Sequence, residues 1–530
     1  MTPSSIGTII VGPWHGNPDR PTLVVDGQYV TFQQLHLGSM RWAQALLDSG
    51  VGTGDRVGIF MPNSSAWVEV LLGASTIGAV IVPLNTRYEL DELRYIAGHA
   101  ELTALVTTAT PAGSTDFTDL VGRSLPEAFG REPPDGYESV PLRHVLITPG
   151  DESANSNELK SIDTQRIGDL ARSVNPRDAA VVLYTSGTTS RPKGCLMSHE
   201  ALVRTGVARF EERRLSFGPL TVWTPCPLFH VGALVPLLGC LASGATFITS
   251  SSFDPESALF TLEQEQVTNA LPLFSAFTDA LLDSPRFSAT DLTSLREILT
   301  TGPPSGVERA QRAFAPAKLV SGYGMTELCG VAASSPVDES DEDRLVWSGT
   351  PFEGIEMAVV DPDTGDPLPA HTLGEIVARG FCTTSGYLRD DKATAMAFDE
   401  NGWFHTGDMG IASPEGRIAY RGRYKDMLKV GGENVSALEV EEFIGRHPAV
   451  RRAEVVGMPD CRLDEVVVAF VELEPGWTAS PEEMIAFCRG RISRFKVPRK
   501  ICFVDHEDWP MSATKIDKVT LRKWATEDHS

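Results

Sequence analysis

The sequence predicts an α/β protein with a large N-terminal domain and a small α+β C-terminal domain. The chain has 530 residues, more than one compact core holds, because single cores stop growing near about 250 to 300 residues. Its N-terminal part alternates short apolar runs with helical patterns, which is typical of a parallel sheet. After Arg423 the pattern changes to short strands and acidic helices. We therefore predict two domains, at 1–422 and 426–530, with the boundary at 423–425.

The N-terminal domain begins with a predicted helix that leads into paired strands. Thr31 and Gln34 form a capping-box pattern, and apolar residues then recur at helical spacing until Gly50. The apolar run 57–60 and the β-branched run 80–82 flank a further helical pattern. Strand, helix and strand in this order predict two parallel strands.

Two later stretches are less regular. The segment 109–175 is rich in Gly, Pro, Ser, Asp and Glu, and we predict long loops there. The stretch 215–253 carries no Asp, Glu, Lys or Arg, but four prolines and His230 interrupt it. We predict core strands and a buried helix for this stretch, and no integral membrane segment.

The C-terminal domain shows two helix starts and two strand patterns. Ser436 precedes an acidic helical run, and Ser480-Pro481 opens another helix. Apolar alternation at 453–457 and 466–471 predicts strands between these helices.

Composition narrows the classes of function. Lys and Arg total 46 against 70 Asp and Glu, a net charge of −24, which argues against binding to nucleic acid or an anionic membrane surface. The eight cysteines form no CxxC pair, so we predict free thiols in a reducing cytosol rather than disulfides or a zinc site. No basic residue precedes Arg20, so the charged opening of a secretory signal is missing. These features predict a cytoplasmic protein.

The strongest motif is VLYTSGTTSRPKG at 182–194. Its glycines and hydroxyls can donate N–H and O–H bonds to phosphate oxygens, and Lys193 adds a positive charge. It is not a Walker loop, because the spacing from Gly187 puts Pro192 at the second glycine and Gly194 at the magnesium-binding Ser or Thr. A solvated turn is the alternative, but the length and order of the motif favour a triphosphate site.

Two further motifs carry residues suited to a nucleotide. In SGYGMTE at 321–327 the glycines permit close backbone approach, Tyr323 offers a ring for adenine, and Glu327 is a hard oxygen ligand suited to Mg²⁺. The motif WFHTGD at 403–408 ends in a carboxylate that can accept hydrogen bonds. Either motif alone is typical of a turn, and their combination with the phosphate loop favours a binding site.

These motifs resemble those of the family of AMP-forming acyl-coenzyme A synthetases, adenylation domains of peptide synthetases and beetle luciferases. The resemblance covers nearly the whole chain, and the family loop YTSGTTGxPKG matches 184–194 except at Ser190, where the family has glycine. The resemblance implies a large multi-sheet N-terminal domain, a small mobile C-terminal domain and activation of a carboxylic acid by ATP.

The resemblance also assigns roles. It implies that Asp408 accepts hydrogen bonds from the ribose hydroxyls, that Arg423 lies on the ribose side and that Thr326 touches the α-phosphate region. The residues implied for ATP or AMP binding are Thr185, Ser186, Gly187, Thr188, Thr189, Lys193, Gly302, Gly322, Tyr323, Gly324, Thr326, Asp408 and Arg423. Those implied for catalysis are Lys515, Thr185, Glu327 and His230, with Glu327 as the metal ligand.

In the family the small domain rotates after adenylation, and the resemblance places the hinge at Lys425. The stretch with Lys429, Gly431 and Gly432 then lines the path of coenzyme A, where paired glycines admit a narrow chain.

The loop PMSATKI at 510–516 resembles the loop that inserts a catalytic lysine during adenylation. The family has glycine before this lysine, whereas Thr514 stands here. Lys515 and Lys518 therefore both remain candidates, and Lys515 has the better-matching flanks.

The implied acyl pocket is lined by Phe229, His230, Phe274 and Leu328, with Gly322 and Gly324 leaving room for bulk. His230 is implied to gate the meeting of thiol and adenylate, although a histidine beside apolar residues is otherwise a hydrogen-bonded core residue. No acid that could pair with a substrate amine stands near Phe229. The predicted substrate is a fatty, aryl or alicyclic acid rather than an amino acid.

The predicted reaction is ATP-dependent ligation of an acid to coenzyme A through acyl-AMP, with ATP, Mg²⁺ and coenzyme A as cofactors. One alternative is a free-standing adenylation enzyme that loads a carrier protein in trans. Another is a catalytically silent nucleotide- or acyl-binding protein. The expected partners are small molecules, and a homodimer is a further expectation.

Overall fold

A computed structural model of the chain describes residues 4–11, 18–109, 115–133, 139–148, 162–185, 192–301, 304–336, 338–430, 433–460, 462–512 and 515–527. The description of side chains excludes those of Glu212, Pro304, Ser305, Lys425, Glu433, Asn434, Ser512 and Lys515.

The helices, numbered in chain order, are α1 (Ile6–Val11), α2 (Phe32–Asp48), α3 (Ser65–Thr76), α4 (Leu90–His99), α5 (Phe117–Ser124), α6 (Thr164–Ser173), α7 (His199–Phe217), α8 (Val231–Ser243), α9 (Pro255–Gln264), α10 (Ser275–Asp283), α11 (Pro304–Phe314), α12 (Asp341–Val346), α13 (Asp391–Ala397), α14 (Ala437–Ile444), α15 (Pro481–Cys488) and α16 (Lys518–Thr526).

The strands are β1 (Pro21–Val25), β2 (Gln28–Thr31), β3 (Arg56–Phe60), β4 (Val80–Pro83), β5 (Ala104–Thr108), β6 (His144–Thr148), β7 (Ala179–Thr185), β8 (Lys193–Ser198), β9 (Thr221–Trp223), β10 (Thr246–Thr249), β11 (Asn269–Phe274), β12 (Glu297–Thr301), β13 (Lys318–Val320), β14 (Gly322–Met325), β15 (Gly330–Ser334), β16 (Thr350–Pro351), β17 (Ile355–Val360), β18 (Gly374–Gly380), β19 (Gly386–Tyr387), β20 (Phe404–Ala412), β21 (Ile418–Arg423), β22 (Met427–Val430), β23 (Glu433–Ser436), β24 (Val450–Asp460), β25 (Asp464–Leu473), β26 (Lys500–Phe503), β27 (Met511–Ser512) and β28 (Lys515–Ile516).

Two seven-stranded sheets dominate the large N-terminal part. The first has the order β13-β12-β11-β9-β10-β1-β2 and is parallel except for β2. The second has the order β19-β8-β7-β4-β3-β5-β6, in which β8 and β19 are antiparallel to their neighbours. Apolar side chains of both sheets and of α2, α3, α7 and α8 share one buried core. The sheets therefore enclose a helical layer, as expected for parallel strands that are buried on both faces.

Smaller sheets complete the molecule. A three-stranded sheet, β14-β15-β16, and a four-stranded sheet, β17-β18-β20-β21, come after β13 in the chain, and between β18 and β20 the chain returns to the second large sheet as β19. The C-terminal part has the order β23-β22-β25-β24, with β26 beside β25, and its own apolar cluster. The predicted fold class, a large multi-sheet N-terminal domain with a small C-terminal domain, is confirmed.

Local signals at the N-terminus produce the predicted elements. Thr31 Oγ1 accepts the Gln34 N–H at 3.2 Å, and Gln34 Oε1 accepts the Thr31 N–H at 2.8 Å. This capping box starts α2, because it satisfies backbone groups that have no partner within the helix. Strands β3 and β4 pair in parallel across α3, which confirms the predicted strand, helix and strand.

The prediction of long loops across 109–175 is partly wrong. This segment contains α5, β6 and α6, and β6 extends the second large sheet beside β5. Strand β6 is not evident from the sequence because it is short and half-buried, so its apolar residues do not alternate strongly. The two helices are also short, with 8 and 10 residues. The stretch 215–253 forms β9, α8 and β10, as predicted. Among the described residues, no helix is long and apolar enough to cross a membrane.

The C-terminal elements begin where the sequence predicts. Ser436 caps α14 by accepting the Glu439 N–H, and Ser480 forms a capping box with Glu483 at α15. The two predicted strands are longer than expected, spanning 450–460 and 464–473. Most of the added residues are charged, such as Arg451, Arg452 and Asp464, so the apolar pattern marks only the centre of each strand.

The chain passes from the four-stranded sheet to the C-terminal sheet through a 3₁₀ turn, Tyr424–Asp426. The described side chains also form ion pairs between the two parts. Arg451 of β24 contacts Asp283 of α10 at 2.5 Å, and Arg452 lies 3.8 Å from Asp279. The domain limits 1–422 and 426–530 remain our proposal.

A buried ionic cluster joins three layers of the large part. Arg209 and Arg213 of α7 both contact the carboxylate of Glu297 in β12. Arg213 also donates to Ser334 Oγ at 3.1 Å and to the Ser335 carbonyl at 2.7 Å. Burial alone would raise the pKa of Glu297, but the two arginines hold it below its usual value. The cluster thus fixes α7 against two different sheets.

A half-buried carboxyl, that of Glu69, lies between α2 and α3. An ideal Cβ on Gly38 would lie 2.1 Å from the Glu69 carboxyl carbon, so the missing side chain of Gly38 makes room for Glu69. Burial raises the pKa of Glu69 to about 7, and Arg41 opposes this shift only in part. The folded chain therefore binds a proton that the unfolded chain releases at lower pH.

We predict that Glu69→Gln changes the pH dependence of stability. A raised carboxyl pKa contributes stability below the unfolded value of 4.5, and this is lost as pH rises through the folded value of about 7. At pH 8 the Gln variant should be more stable than the original chain by about 1 to 2 kcal/mol. At this pH Glu69 is ionised in a poorly solvated position, whereas Gln remains neutral there. Urea unfolding at pH 4.5, 6 and 8 measures the difference.

Exposed Glu400 provides the control, and Glu400→Gln should leave the pH profile unchanged. A Glu69→Gln profile parallel to that of the original chain would contradict the assignment of the raised pKa.

Candidate active site

The phosphate motif lies on two antiparallel strands of the second large sheet. Thr185 ends β7 and pairs with Lys193 at the start of β8. Ser186, Gly187, Thr188 and Thr189 lie outside the described residues. The structure therefore places Thr185 and Lys193 side by side at the base of the motif.

Tyrosines contact both flanks of this motif. The Tyr184 hydroxyl lies 2.7 Å from His99 Nδ1, and the Tyr95 hydroxyl donates to the Pro192 carbonyl at 3.3 Å. Burial raises the pKa of Tyr184, so its hydroxyl stays protonated. These contacts position the two strand ends from outside the motif.

Glu327 lies close to the same strands. It belongs to the 3₁₀ turn Thr326–Leu328, which follows β14, and its side chain is buried. The Tyr387 hydroxyl donates to Glu327 Oε1 at 3.1 Å, and the Thr384 N–H donates to the Glu327 carbonyl at 2.7 Å. Burial and Glu327 raise the pKa of Tyr387, so this hydroxyl remains a donor.

The glycines of SGYGMTE do not leave room for a bulky substrate, so this expectation is wrong. An ideal Cβ on Gly324 would lie 1.7 Å from the Gly330 carbonyl oxygen, and one on Gly322 would lie 3.0 Å from Val331 Cγ1. Both glycines instead allow β14 to approach β15 closely. Their predicted contact with the nucleotide remains a prediction.

Asp408 is the centre of a buried polar group. Arg423 Nε contacts Asp408 Oδ1 at 2.8 Å, and the Tyr323 hydroxyl donates to Asp408 Oδ2 at 2.9 Å. Asp408 and Arg423 are opposite each other on β20 and β21. Burial alone would lower the pKa of Arg423, but Asp408 and Tyr420 raise it. The structure thus brings together three residues predicted to bind the nucleoside.

The ring of Tyr323 is only 4% exposed. It stacks on Tyr420, with ring centroids 6.2 Å apart. Burial and Asp408 raise the pKa of the Tyr323 hydroxyl well above its usual value. Tyr323 therefore supports Asp408 from within the core, and adenine stacking on this ring remains a prediction.

The predicted acyl residues lie at the N-terminal ends of two helices. His230 caps α8, where its Nδ1 accepts the Gly232 N–H at 3.0 Å, so the neutral ring carries its proton on Nε2. Phe274 precedes α10 and meets His230 edge to face, with centroids 5.5 Å apart. Phe229 is half-buried, whereas Leu328 is fully buried in a separate apolar cluster.

The remaining predicted residues fall in several places. Lys429 is exposed on β22, and its N–H donates to Glu465 Oε2 at 2.8 Å. Lys425 lies in the 3₁₀ turn after β21, and its side chain is outside the described part. Gly302, Gly431 and Gly432 are also outside the described residues.

The two candidate lysines differ in their surroundings. Lys515 pairs with Ser512 in the hairpin of β27 and β28, and its side chain is outside the described part. Lys518 Nζ contacts Glu441, lies 3.5 Å from Glu454 and donates to the Val455 carbonyl at 3.4 Å. Burial alone would lower the pKa of Lys518, but the two glutamates raise it. Lys518 is thus engaged within the C-terminal part, which favours Lys515 as the adenylation lysine.

The donor set fits a magnesium ion that is shared with substrate. Mg²⁺ is typically bound by one or two carboxylates together with phosphates and water. Glu327 supplies a buried carboxylate next to β8, the strand on which the phosphate motif ends. Within the described part of the chain, no group of three or more His, Cys, Asp or Glu side chains is arranged to hold a metal. A single carboxylate is enough for a site that the phosphates complete.

Sequence reasoning missed Thr384, Tyr387 and Tyr420. These residues contact Glu327, Asp408 or Tyr323, but they lie outside the motifs identified from the sequence. One available signal is the glycine-tyrosine pair Gly386-Tyr387, which repeats the pattern of Gly322-Tyr323 in a run of hydroxyl residues.

Comparison with known proteins agrees with this geometry. Residues 13–388 match the AMP-binding enzyme family, and residues 439–515 match the AMP-binding enzyme C-terminal domain. The first match includes Thr185, Lys193 and Glu327, and the second includes most of α14 together with β24, β25 and β26 of the C-terminal sheet. Asp408 and Arg423 lie between the two matches.

Two relatives and one solved structure illustrate the similarity. A 3-[(3aS,4S,7aS)-7a-methyl-1,5-dioxo-octahydro-1H-inden-4-yl]propanoyl:CoA ligase of Rhodococcus jostii is 34% identical, covering 91% of this chain and 92% of that protein. The mitochondrial medium-chain acyl-CoA ligase ACSF2 of Danio rerio is 30% identical, covering 96% and 86%. The crystal structure of ATP-bound MatB from Rhodopseudomonas palustris superposes with a TM-score of 0.83 at 26% identity, covering 100% of both chains. This chain therefore belongs to the AMP-binding enzyme family and is an AMP-forming acyl-CoA synthetase.

Proposed function

We propose that this enzyme ligates an apolar carboxylic acid, either fatty, aryl or alicyclic, to coenzyme A. The observation that carries the proposal is a row of aromatic rings at the predicted acyl site. Phe274 contacts His230 and also Phe277, whose centroid is 6.4 Å away, and Phe277 meets Phe253 at 4.8 Å. Half-buried rings favour contact with apolar groups.

The names of two relatives support this substrate class. One acts on a medium-chain acid, and the other acts on a propanoate that carries a fused, saturated ring system. Both acids present a body that is mostly hydrocarbon beyond the carboxylate, and the fused rings of the second acid also carry two keto groups. A wall of aromatic side chains accepts such bodies without a specific polar partner.

In the first proposed step, the acid carboxylate attacks the α-phosphorus of ATP to give acyl-AMP and pyrophosphate. Thr185 and Lys193 hold the phosphates, Asp408 accepts the ribose hydroxyls, and Lys515 neutralises the charge that develops between the reacting groups. Glu327 would hold magnesium, which neutralises phosphate charge when bound.

In the second proposed step, the thiol of coenzyme A displaces AMP. We place the hinge at Lys425, which allows the C-terminal part to turn and bring Lys429, Gly431 and Gly432 to the site. His230 lies at the end of the aromatic wall, where it gates the approach of the thiol. In this two-step reaction a single cleft serves both steps, because the small domain presents a different face to the cleft in each step.

We also propose that the enzyme is cytoplasmic. The described cysteines are all free, and only Cys502 among them is not fully buried, as expected for a reducing compartment. A homodimer remains a prediction from the sequence.

We expect a panel of acids to show the substrate class. Medium-chain, aryl and alicyclic acids should support ATP-dependent release of pyrophosphate and formation of acyl-CoA, whereas amino acids should not, because the aromatic wall offers no partner for an ammonium group. Coupled pyrophosphate assays and mass spectrometry of thioesters measure both steps. Robust acid-dependent pyrophosphate exchange without any acyl-CoA across the panel would instead indicate a carrier protein as the acceptor.

We predict that Asp408→Asn weakens ATP binding by about 10- to 100-fold, because a charged acceptor that pairs with Arg423 is lost. Calorimetric titration with ATP measures the affinity. Asp361→Asn, in an exposed turn, is the matched control and should bind ATP normally. An unchanged affinity of Asp408→Asn for ATP would show that Asp408 is not part of the nucleotide site.

We predict that Lys515→Ala slows acyl-AMP formation by about 100- to 1000-fold, because the charge between carboxylate and α-phosphate loses its counterion. Thioester formation from preformed acyl-AMP should be retained. Stopped-flow assays of the two half-reactions separate these effects. Lys523→Ala, on the exposed side of α16, is the control, and normal adenylation by Lys515→Ala would show that another lysine acts.

A further inference from the structure

Residues 384–388, here called the clamp segment, are fastened to the strand that leaves the phosphate motif. The Ser385 N–H donates to the Leu196 carbonyl at 2.9 Å, and the Leu388 N–H donates to the Gly194 carbonyl at 2.7 Å. Both acceptors lie in β8, whose first residue is Lys193. Backbone bonds therefore fix the distance between the clamp segment and the phosphate motif.

The clamp segment also contacts both the main-chain carbonyl and the side-chain carboxylate of Glu327. The Thr384 N–H donates to the Glu327 carbonyl at 2.7 Å, and the Tyr387 hydroxyl donates to Glu327 Oε1 at 3.1 Å. A carboxylate that accepts a bond from a fixed hydroxyl loses rotational freedom, so its other coordination directions are set in advance.

Tyr387 makes a second contact with its ring. Lys193 Nζ lies 5.3 Å from the centroid of the Tyr387 ring, within the range of a cation–π interaction. One side chain thus contacts both the lysine of the phosphate motif and the carboxylate suited to magnesium.

The backbone around Tyr387 is itself constrained. The Tyr387 N–H donates to Thr394 Oγ1 at 2.9 Å. Gly386 has a φ of +127°, and an ideal Cβ there would lie 2.6 Å from Thr394 Cγ2. This glycine allows α13 to approach the clamp segment closely, which holds Tyr387 in a single position.

We infer that Tyr387 is a positioning residue for MgATP. Its hydroxyl orients the Glu327 carboxylate, and its ring positions the Lys193 ammonium group through a cation–π contact. The inference rests on the proposed roles of Glu327 and Lys193 in ATP binding. It adds that one tyrosine fixes the position of the Glu327 carboxylate relative to the Lys193 ammonium group. Tyr387 does not itself contact the reacting atoms.

The test is Tyr387→Phe, which removes the hydroxyl and keeps the ring. Calorimetry should show about 10-fold weaker binding of ATP in the presence of Mg²⁺, with little change in EDTA, because Lys193 keeps its ring. Pyrophosphate release should need more Mg²⁺ and should recover at high Mg²⁺. Thioester formation from preformed acyl-AMP should be unchanged.

Tyr29→Phe is the matched control. The Tyr29 hydroxyl donates to Glu265 Oε1 at 2.5 Å on an exposed surface, so this variant also breaks one Tyr–Glu hydrogen bond. It should leave the Mg²⁺ dependence of ATP binding unaffected.

Tyr387→Leu removes the ring as well as the hydroxyl. This variant should weaken ATP binding in EDTA too, because Lys193 loses the surface that holds its ammonium group. Equal behaviour of the Leu and Phe variants in EDTA would refute the role of the ring.

Glu327→Gln separates the inference from the function on which it rests. If this variant binds MgATP normally, the proposed metal role of Glu327 fails. If it weakens MgATP binding and Tyr387→Phe does not, the positioning inference alone fails. The inference expects Tyr387→Phe to have no further effect on MgATP affinity in the Glu327→Gln background, because the hydroxyl acts through this carboxylate. Independent, additive losses would overturn it.

Discussion

The buried pairing of Glu297 with Arg209 and Arg213 is the constraint on which the arrangement of the large part depends. Charges in the interior are tolerated only when they are paired and hydrogen-bonded, and removing one partner costs about 3 to 5 kcal/mol. Because α7 follows β8 directly and β15 follows the turn of Glu327, the cluster determines where both elements lie. The cluster thereby connects the helix that follows the phosphate motif with the strand that follows Glu327, which is the proposed magnesium ligand.

Electrostatic contacts divide into two kinds along the chain. Within the parts, the pairs of Asp408 with Arg423 and of Glu441 with Lys518 each contain a buried carboxylate, 4% and 8% accessible respectively. Between the parts, the bond of Arg451 to Asp283 is partly exposed, with Asp283 39% accessible. Exposed pairs contribute only about 0 to 1 kcal/mol and are screened by salt. Such weak contacts between the two parts are compatible with the proposed rotation of the C-terminal part.

The two halves of the proposed substrate site rely on different kinds of contact. The nucleotide side uses strands and turns fixed by hydrogen bonds, so its polar groups point in defined directions. The proposed acyl side uses the rings of Phe274 and Phe277, which pack against each other and against His230, and His230 is also held by the Gly232 N–H. Directional contacts suit a constant substrate such as ATP, whereas aromatic walls tolerate variation in the acid.

The sequence by itself determined the fold class, the helix caps at Thr31, Ser436 and Ser480, and the motifs of the nucleotide site, because each depends on residues that are close along the chain. Only the tertiary structure decided that Gly324 serves strand packing rather than an open pocket, that Lys518 is engaged by glutamates, and that Tyr387 reaches Glu327. These contacts join residues distant in sequence, and no local periodicity or spacing encodes which side chains meet once the sheets have packed.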